Sequence, residues 1–215
     1  MGFQYSACRG AQDTGSLFSG TAHPAEGPLV TEPRTPGSLT APRTAVAPDR
    51  PLPAVDLRVP TDEDAYAWHR VFADPEVMEF HGGRSAELSV YEELTARQRR
   101  HDAERGFCLW TMLGPGGEVL GFTGAQPWPH SWGPEGEIEI GWRLGRDHWG
   151  RGYATAAAEA TLERLRAAGV GRVVAMVDAR NARSVAVTRR LGMELAETFL
   201  TPVSRREGHC YRLAL

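Results

Sequence analysis

Residues 139–157 read EIGWRLGRDHWGRGYATAA, and this stretch decides the fold. Glu139 to Leu144 alternates polar and apolar positions, as a strand does. GRDHWGRG (145–152) is a glycine-rich loop, and from Ala154 the residues Ala157, Ala158, Thr161, Leu162 and Leu165 recur at helical spacing. A glycine-rich turn from a strand into a helix aims several backbone N–H groups at one point. The helix dipole adds about half a positive charge there, so the turn favours an anion, most often a phosphate. Gly150 and Gly152 permit a backbone approach that a side chain would block. The loop lacks the Lys-Ser/Thr ending of a P-loop, and as a dinucleotide fingerprint Gly150-x-Gly152-x-x-Thr155 misses its third small residue.

Upstream, AVDLRVP (54–60) alternates Val55, Leu57 and Val59 and stops at Pro60, which predicts a first strand. Thr61 with Asp64 caps a helix whose apolar face is Ala65, Trp68, Val71 and Phe72, ending near Asp74-Pro75. A second helix covers about 85–104, with Leu88, Tyr91, Leu94 and Gln98 on one side. FCLWTML (107–113), the turn 114–117 and EVLGFTGAQ (118–126) read as a hairpin, and a third sheet strand covers 137–144. Downstream of the loop, a helix over 154–168 stops at Gly169, RVVAMV (172–177) is a buried strand, and Asn181 opens a helix ending at Leu191-Gly192. Two strands close the chain, over 193–200 and 209–215. The predicted order is β-α-α-β-β-β-α-β-α-β-β, an α/β chain with no internal repeat.

Eight of the 15 prolines fall in the first 53 residues, where large aliphatics are sparse. Such a segment buries too little surface to offset its ordering entropy, so residues 1–53 are expected to be a disordered extension, with one folded domain over 54–215. The whole chain has 215 residues, 41% apolar and 24% charged, and a net charge of −3, which disfavours a protein that binds by neutralising nucleic-acid phosphates. All 24 basic residues are arginine. No apolar run approaches the ~18 residues of a membrane span, and the N-terminus has no secretory pattern. Three cysteines far apart and seven histidines without metal-ligand spacing give no metal site and suit a reducing, cytoplasmic setting. His81 and His148 are expected at the surface.

The string EIGWRLGRDHWGRGYATAA, followed after one helix and one strand by NARSVAVTRRLGM (181–193), resembles the GNAT superfamily of acyl-CoA-dependent N-acetyltransferases. It is most similar to the branch that includes the ribosomal-protein alanine N-acetyltransferases. The resemblance covers roughly 54–215, including LRVPTDEDAYAWHRVFADPEV (57–77). It implies a twisted mixed sheet flanked by helices, whose central parallel strands splay around acetyl-CoA as acyl donor, with no metal. It implies that the amides of Trp149, Gly150, Arg151, Gly152, Tyr153 and Ala154 bind the pyrophosphate, Trp149 standing where the family usually has Gln or Arg. The pantetheine arm would pair along Ile140, Gly141, Trp142, Arg143 and Leu144, and touch Asn181, which also suits a helix N-cap. Leu191-Gly192-Met193 matches the motif near the thiol.

Acetylating an amine needs a neutral nucleophile, a stabilised oxyanion and a proton for the leaving thiolate. Glu137 and Glu139 alternate with Ile138 and Ile140 and so share a strand face. Glu139 sits where the branch has a Glu; it serves as base through a water, binds a cationic acceptor, or is a solvated face. Ser184 matches the branch's Asn-x-x-Ser, whose serine is linked to protonating the thiolate; its bland role is capping the helix. The oxyanion falls on a backbone N–H near Gly141 or Trp142. In the loop 127–137, Trp128, His130 and Trp132 with Glu137 either grip a cationic amine by cation–π contact or anchor the loop. The function expected is acetyl transfer to a primary amine, either a protein N-terminus or a small molecule, in a ternary complex, by a monomer or homodimer. Its rivals are a non-catalytic acyl-CoA sensor on the same fold and an adaptor working through the Pro-rich tail.

Overall fold

The apolar alternation at 55–59 becomes β1 (Asp56–Arg58), the outer strand of a seven-stranded sheet. The structure, a computed structural model, describes residues 51–202 and 205–215. The extension expected over residues 1–53 lies, up to residue 50, outside the described residues. After β1 come α1 (Glu63–Val71), α2 (Pro75–Met78) and α3 (Leu88–Arg105). The Asp64 carboxylate accepts the Thr61 N–H at 2.7 Å, as a capping box does, and pairs with Arg58. Asp74-Pro75 starts a helix instead of only ending one: Asp74 Oδ1 accepts the Glu76 N–H and the proline occupies the first turn. α3 ends at Gly106, with φ 75°, where glycine avoids the left-handed penalty.

The hairpin forms as β2 (Leu109–Leu113) and β3 (Val119–Pro127), and β3 pairs along its length with β4 (Ile138–Leu144). Gly124 is required there, because a Cβ would lie 2.0 Å from the Cys108 carbonyl oxygen. The chain then crosses through α4 (Tyr153–Ala167) to β5 (Arg172–Asp178), which runs parallel to β4. α5 (Ala182–Arg190), β6 (Glu194–Leu200) and β7 (Glu207–Ala214) complete the domain, in sheet order β1-β2-β3-β4-β5-β7-β6.

Two cores hold the layers. On one face Trp68 and Phe72 of the α1 segment meet Tyr91 and Leu94 of α3 over Leu109 and Phe122. Phe72 is fully buried, which contributes about 1.5–3 kcal/mol. On the other face Ala157, Leu162 and Leu165 of α4 pack with Ile140, Trp142, Leu144 and β5. β5 is buried on both faces (Val173 to Val177 are all at 0%), as a central parallel strand should be.

Candidate functional site

β4 and β5 each have seven residues, yet only Glu139 and Val174 are matched across them. Beyond that pair the strands diverge toward their C-terminal ends. β4 is meanwhile fully matched to β3, from Pro127↔Ile138 to Gly121↔Leu144. Among the described residues, the β5-facing edge of β4 from Ile140 to Leu144 therefore has no strand partner, the arrangement that admits an extended ligand as an extra strand. Ligands of open α/β sheets also bind in crevices outside the carboxyl ends of the strands.

The loop at that end is built to hold an anion. A short 3₁₀ turn (Arg146–His148) leads to Gly150 and Gly152, both in the left-handed region, with φ 71° and 89°. Gly152 is the cap of α4, so the first-turn amides of the helix are unpaired within it and carry the positive end of its dipole. The Trp149 indole donates to the Leu144 carbonyl at 3.0 Å, and the Arg183 guanidinium lies 4.3 Å from its ring centre. Trp149 thus ties the end of β4 to the first turn of α5. Pro53 lies against the loop as well, since a Cβ on Gly152 would be 3.1 Å from its Cδ.

A cavity of about 830 Å³ opens here, within the ~300–1,000 Å³ usual for small-molecule sites. It is lined by residues 142–144 of β4, by 148–155, by Asn181 and Ser184, and by Arg183 and Arg190. Arg151, Arg183 and Arg190 give it a cationic wall. The cavity thus collects most of the residues expected for the phosphate and pantetheine ends. Ile140, Gly141 and Glu139 lie at the closed end of the gap and do not line it.

Asn181 is the cap of α5: its Oδ1 accepts the Ser184 N–H at 3.1 Å. Ser184 is 6% exposed and faces the cavity. The two glutamates of β4 part company. Glu137 is taken up by Arg212, through Nη2 at 2.8 Å, and by Arg172 at 3.1 Å, tying β4 to β5 and β7. Glu139 is buried, and burial pushes its carboxyl up to about 7, opposed by a hydrogen bond from Gln126. A carboxyl poised there exchanges protons near neutrality.

Trp128, His130 and Trp132 pack on one another. Trp128 stands edge-on to both, at 4.8 and 5.1 Å, His130 stacks on Trp132 at 5.2 Å, and Phe199 of β6 closes the group at 5.6 Å. The Trp128 indole donates to the Trp132 carbonyl. The loop folds back over β5, since a Cβ on Gly133 would lie 3.3 Å from Met176 Cε. The aromatic group lies outside the cavity. Burial lowers the His130 pKa, which keeps that ring neutral.

Sequence reasoning missed the α2 wall. Glu76, Val77, Phe80 and His81 line the cavity, and His81, expected at the surface, is 9% exposed. The signal was the Asp74-Pro75-Glu76 helix start. Pro51 and Leu52 also line the cavity, so packing of the chain reaches upstream of Ala54. Among the described residues no group of three His, Cys, Asp or Glu is placed to hold a metal, and no helix is long and apolar enough to cross a membrane.

Known proteins share this architecture. Protein YkkB of Bacillus subtilis is 31% identical over 159 residues, 73% of this chain and 88% of its own. An L-methionine sulfoximine/L-methionine sulfone acetyltransferase of Pseudomonas aeruginosa is 32% identical over 106 residues, 48% of this chain and 62% of its own. The fold matches that of yncA from Salmonella typhimurium, solved with its cofactor acetyl-CoA, with a TM-score of 0.60 at 16% identity, over 75% of this chain and 94% of that one. These relatives do not carry the narrower likeness to the ribosomal-protein alanine branch. Residues 55–194 match the family model of the acetyltransferase (GNAT) domain, and the chain is a member of that family of acetyltransferases.

Proposed function

We propose that this protein transfers the acetyl group of acetyl-CoA to a primary amine by direct attack in a ternary complex, with Glu139 as base and Ser184 as acid. The observation that carries the reading is the buried carboxylate of Glu139 at the apex of the β4/β5 gap, whose other end is an anion-binding loop.

The residues present suit acetyl-CoA. The loop amides from Trp149 to Ala154, backed by Arg151, Arg183 and Arg190, match its phosphates in charge. The open edge of β4 from Ile140 to Leu144 offers backbone partners to the pantetheine arm, and the Asn181 amide nitrogen adds a donor. Bound there, acetyl-CoA supplies an activated acyl thioester. Glu139 takes a proton from the acceptor nitrogen and so frees its lone pair. Of the two amides expected to receive the charge that develops on the acyl oxygen, Gly141 and Trp142, the register turns the Gly141 N–H toward β3, so the Trp142 N–H, on the other edge, is the one we assign to it. Ser184 gives its hydroxyl proton to the departing thiolate. We assign Glu137 to the arginine ties, and the aromatic loop of Trp128, His130 and Trp132 to the wall of the acceptor side.

The acceptor is a primary amine of a small molecule or a protein N-terminus. The Pseudomonas relative is named for two α-amino acids, which supports the small-molecule arm. The setting we favour is the cytoplasm, given two free, buried cysteines among the described residues.

The test is thiol release from acetyl-CoA with purified protein and a panel of amines: L-methionine sulfone, an alanine-initiated peptide, a polyamine and an aminoglycoside. Turnover of at least one amine, lost in Glu139→Gln, is expected. Tight acetyl-CoA binding with no amine turned over would favour the rival reading, an acyl-CoA sensor.

A further inference from the structure

A line of hydrogen bonds that begins on the backbone of a different strand leads to Gln126, the neighbour of Glu139 across the sheet. The Leu109 N–H, at the first residue of β2, can only donate, and it donates to Gln98 Oε1 of α3 at 2.9 Å. That commits the Gln98 oxygen and turns its Nε2 to Gln126 Oε1 of β3, at 3.2 Å. The Gln126 oxygen is committed in turn, and Gln126 is the cross-strand partner of Glu139 on the antiparallel ladder, so its amide nitrogen is the group left to face that carboxyl. Amide orientations are often ambiguous, but here a backbone donor fixes both in sequence. Gln98 is 0% exposed and Gln126 6%, so water does not compete for these bonds. Two glutamines inside an otherwise apolar layer are costly unless satisfied, and this line satisfies them.

We propose that Gln98 and Gln126 are positioning residues: they hold the Glu139 carboxylate in one orientation and present it with a hydrogen that favours the ionised form. The proposal rests on the reading of Glu139 as base. Burial alone drives a carboxyl toward its neutral form, in which it cannot take a proton from an amine. Among the described residues Gln126 brings a directed donor that opposes that, and a donor is all it can be while Gln98 holds its oxygen.

Among the described residues, the other ionisable groups around Glu139 do not duplicate this. The Cys210 thiol on β7 is pushed up to about 11 by burial, so it stays neutral, though it feels both Glu137 and Glu139. The Glu137 charge is balanced by Arg212 and Arg172, and Arg212 also holds Glu197 of β6 at 2.7 Å. α3 and β3 bring the two glutamine amides.

The experiment is a ¹³C NMR titration of the Glu139 carboxyl in the full-length protein, assigned with Glu139→Gln, for the native chain, Gln126→Met and Gln98→Met. Methionine keeps the volume and removes the hydrogen bonds. In Gln126→Met the Glu139 pKa is expected to rise by about one unit or more, a tenfold change in proton affinity. In Gln98→Met, where the Gln126 amide is free to turn, a smaller rise is expected. The acid limb of kcat/KM, measured with the best amine of the panel, should move up by the same amount, with the rate recovered at high pH. A purely structural role would instead lower the rate at every pH.

An unchanged Glu139 pKa in either folded variant overturns the relay, and the second variant decides the matter where the first does not fold. If the pKa moves but Glu139→Gln retains full activity, the relay stands and the base assignment falls.

Discussion

Glu139 of β4 stands opposite Val174 of β5, and that is the single matched pair of the two parallel strands. The one matched position between β4 and β5 is thus also the position of a buried carboxyl. Whatever extended ligand continues the edge of β4 from Ile140 onward meets Glu139 at its inner end. The glycine-rich loop 145–152 marks the outer end, one strand length away. On the proposed reading, chemistry and anchoring are separated along β4, so substitutions at one end should leave the other nearly intact.

Gly152→Val tests the outer end. The residue has φ 89°, so any side chain there carries about 1–2 kcal/mol of left-handed strain. Its Cβ would also lie 3.1 Å from Pro53 Cδ. Acetyl-CoA affinity should fall at least tenfold, about 1.4 kcal/mol, because the added methyls occupy the approach to the amides. Calorimetry on the folded variant checks this; undiminished affinity would put the phosphates elsewhere.

Arg183→Met tests the cationic wall. Arg183 lies over the Trp149 ring and lines the cavity. Its loss should weaken acetyl-CoA binding several-fold in low salt and less at about 0.5 M, where the Debye length has shrunk to a few ångströms. A native-like salt slope in the variant would mean that Arg183 only packs on the indole.

Glu137→Gln should act on stability. It leaves Arg212 and Arg172 without their shared carboxylate. A fully buried pair broken this way costs about 3–5 kcal/mol, but Arg172 is 65% exposed, so about 1–2 kcal/mol is expected in urea unfolding. The kcat/KM should change little. A large kinetic loss with unchanged stability would return Glu137 to the acceptor site.

Much of this was legible in the chain, because periodicity and punctuation agree along it. The hairpin around 114–117, the loop at 145–152 and the helix opened by Asn181 are all set by local rules. The α2 wall was not, because a four-residue helix shows no apolar period and only its Asp-Pro cap announces it. The different fates of Glu137 and Glu139 were also hidden. Alternation puts both on one face, but Arg212, which pairs with Glu137 and not with Glu139, is 75 residues away in sequence. The aromatic loop was ambiguous for the same reason, since Phe199, which closes it, belongs to a strand read without partners.

Glu139→Gln should make the protein more stable and nearly inactive, and the two effects should have different pH profiles. The folded-state carboxyl titrates near 7, against an ordinary value of 4.5, chiefly because burial disfavours its charge. Below about pH 4.5 it is protonated whether the chain is folded or not, and contributes no pH-dependent term. Between 4.5 and 7 the folded form binds the extra proton, so stability falls as pH rises, and above 7 the cost is constant at about 3 kcal/mol. Glutamine removes that cost, so the variant's advantage should be near zero at pH 4.5 and largest at pH 8, as urea unfolding at both values would read. Its kcat/KM should drop about 10²–10⁴-fold near pH 7, with acetyl-CoA affinity unchanged, and the deficit should shrink toward pH 9.5 as the acceptor arrives neutral. Ser184→Ala should show a loss that high pH does not repair, since it concerns the leaving thiolate. Equal stability of Glu139→Gln and the native chain at pH 8 would show that the carboxyl is not held in a desolvated site, and near-normal rates at pH 7 would remove it as the base.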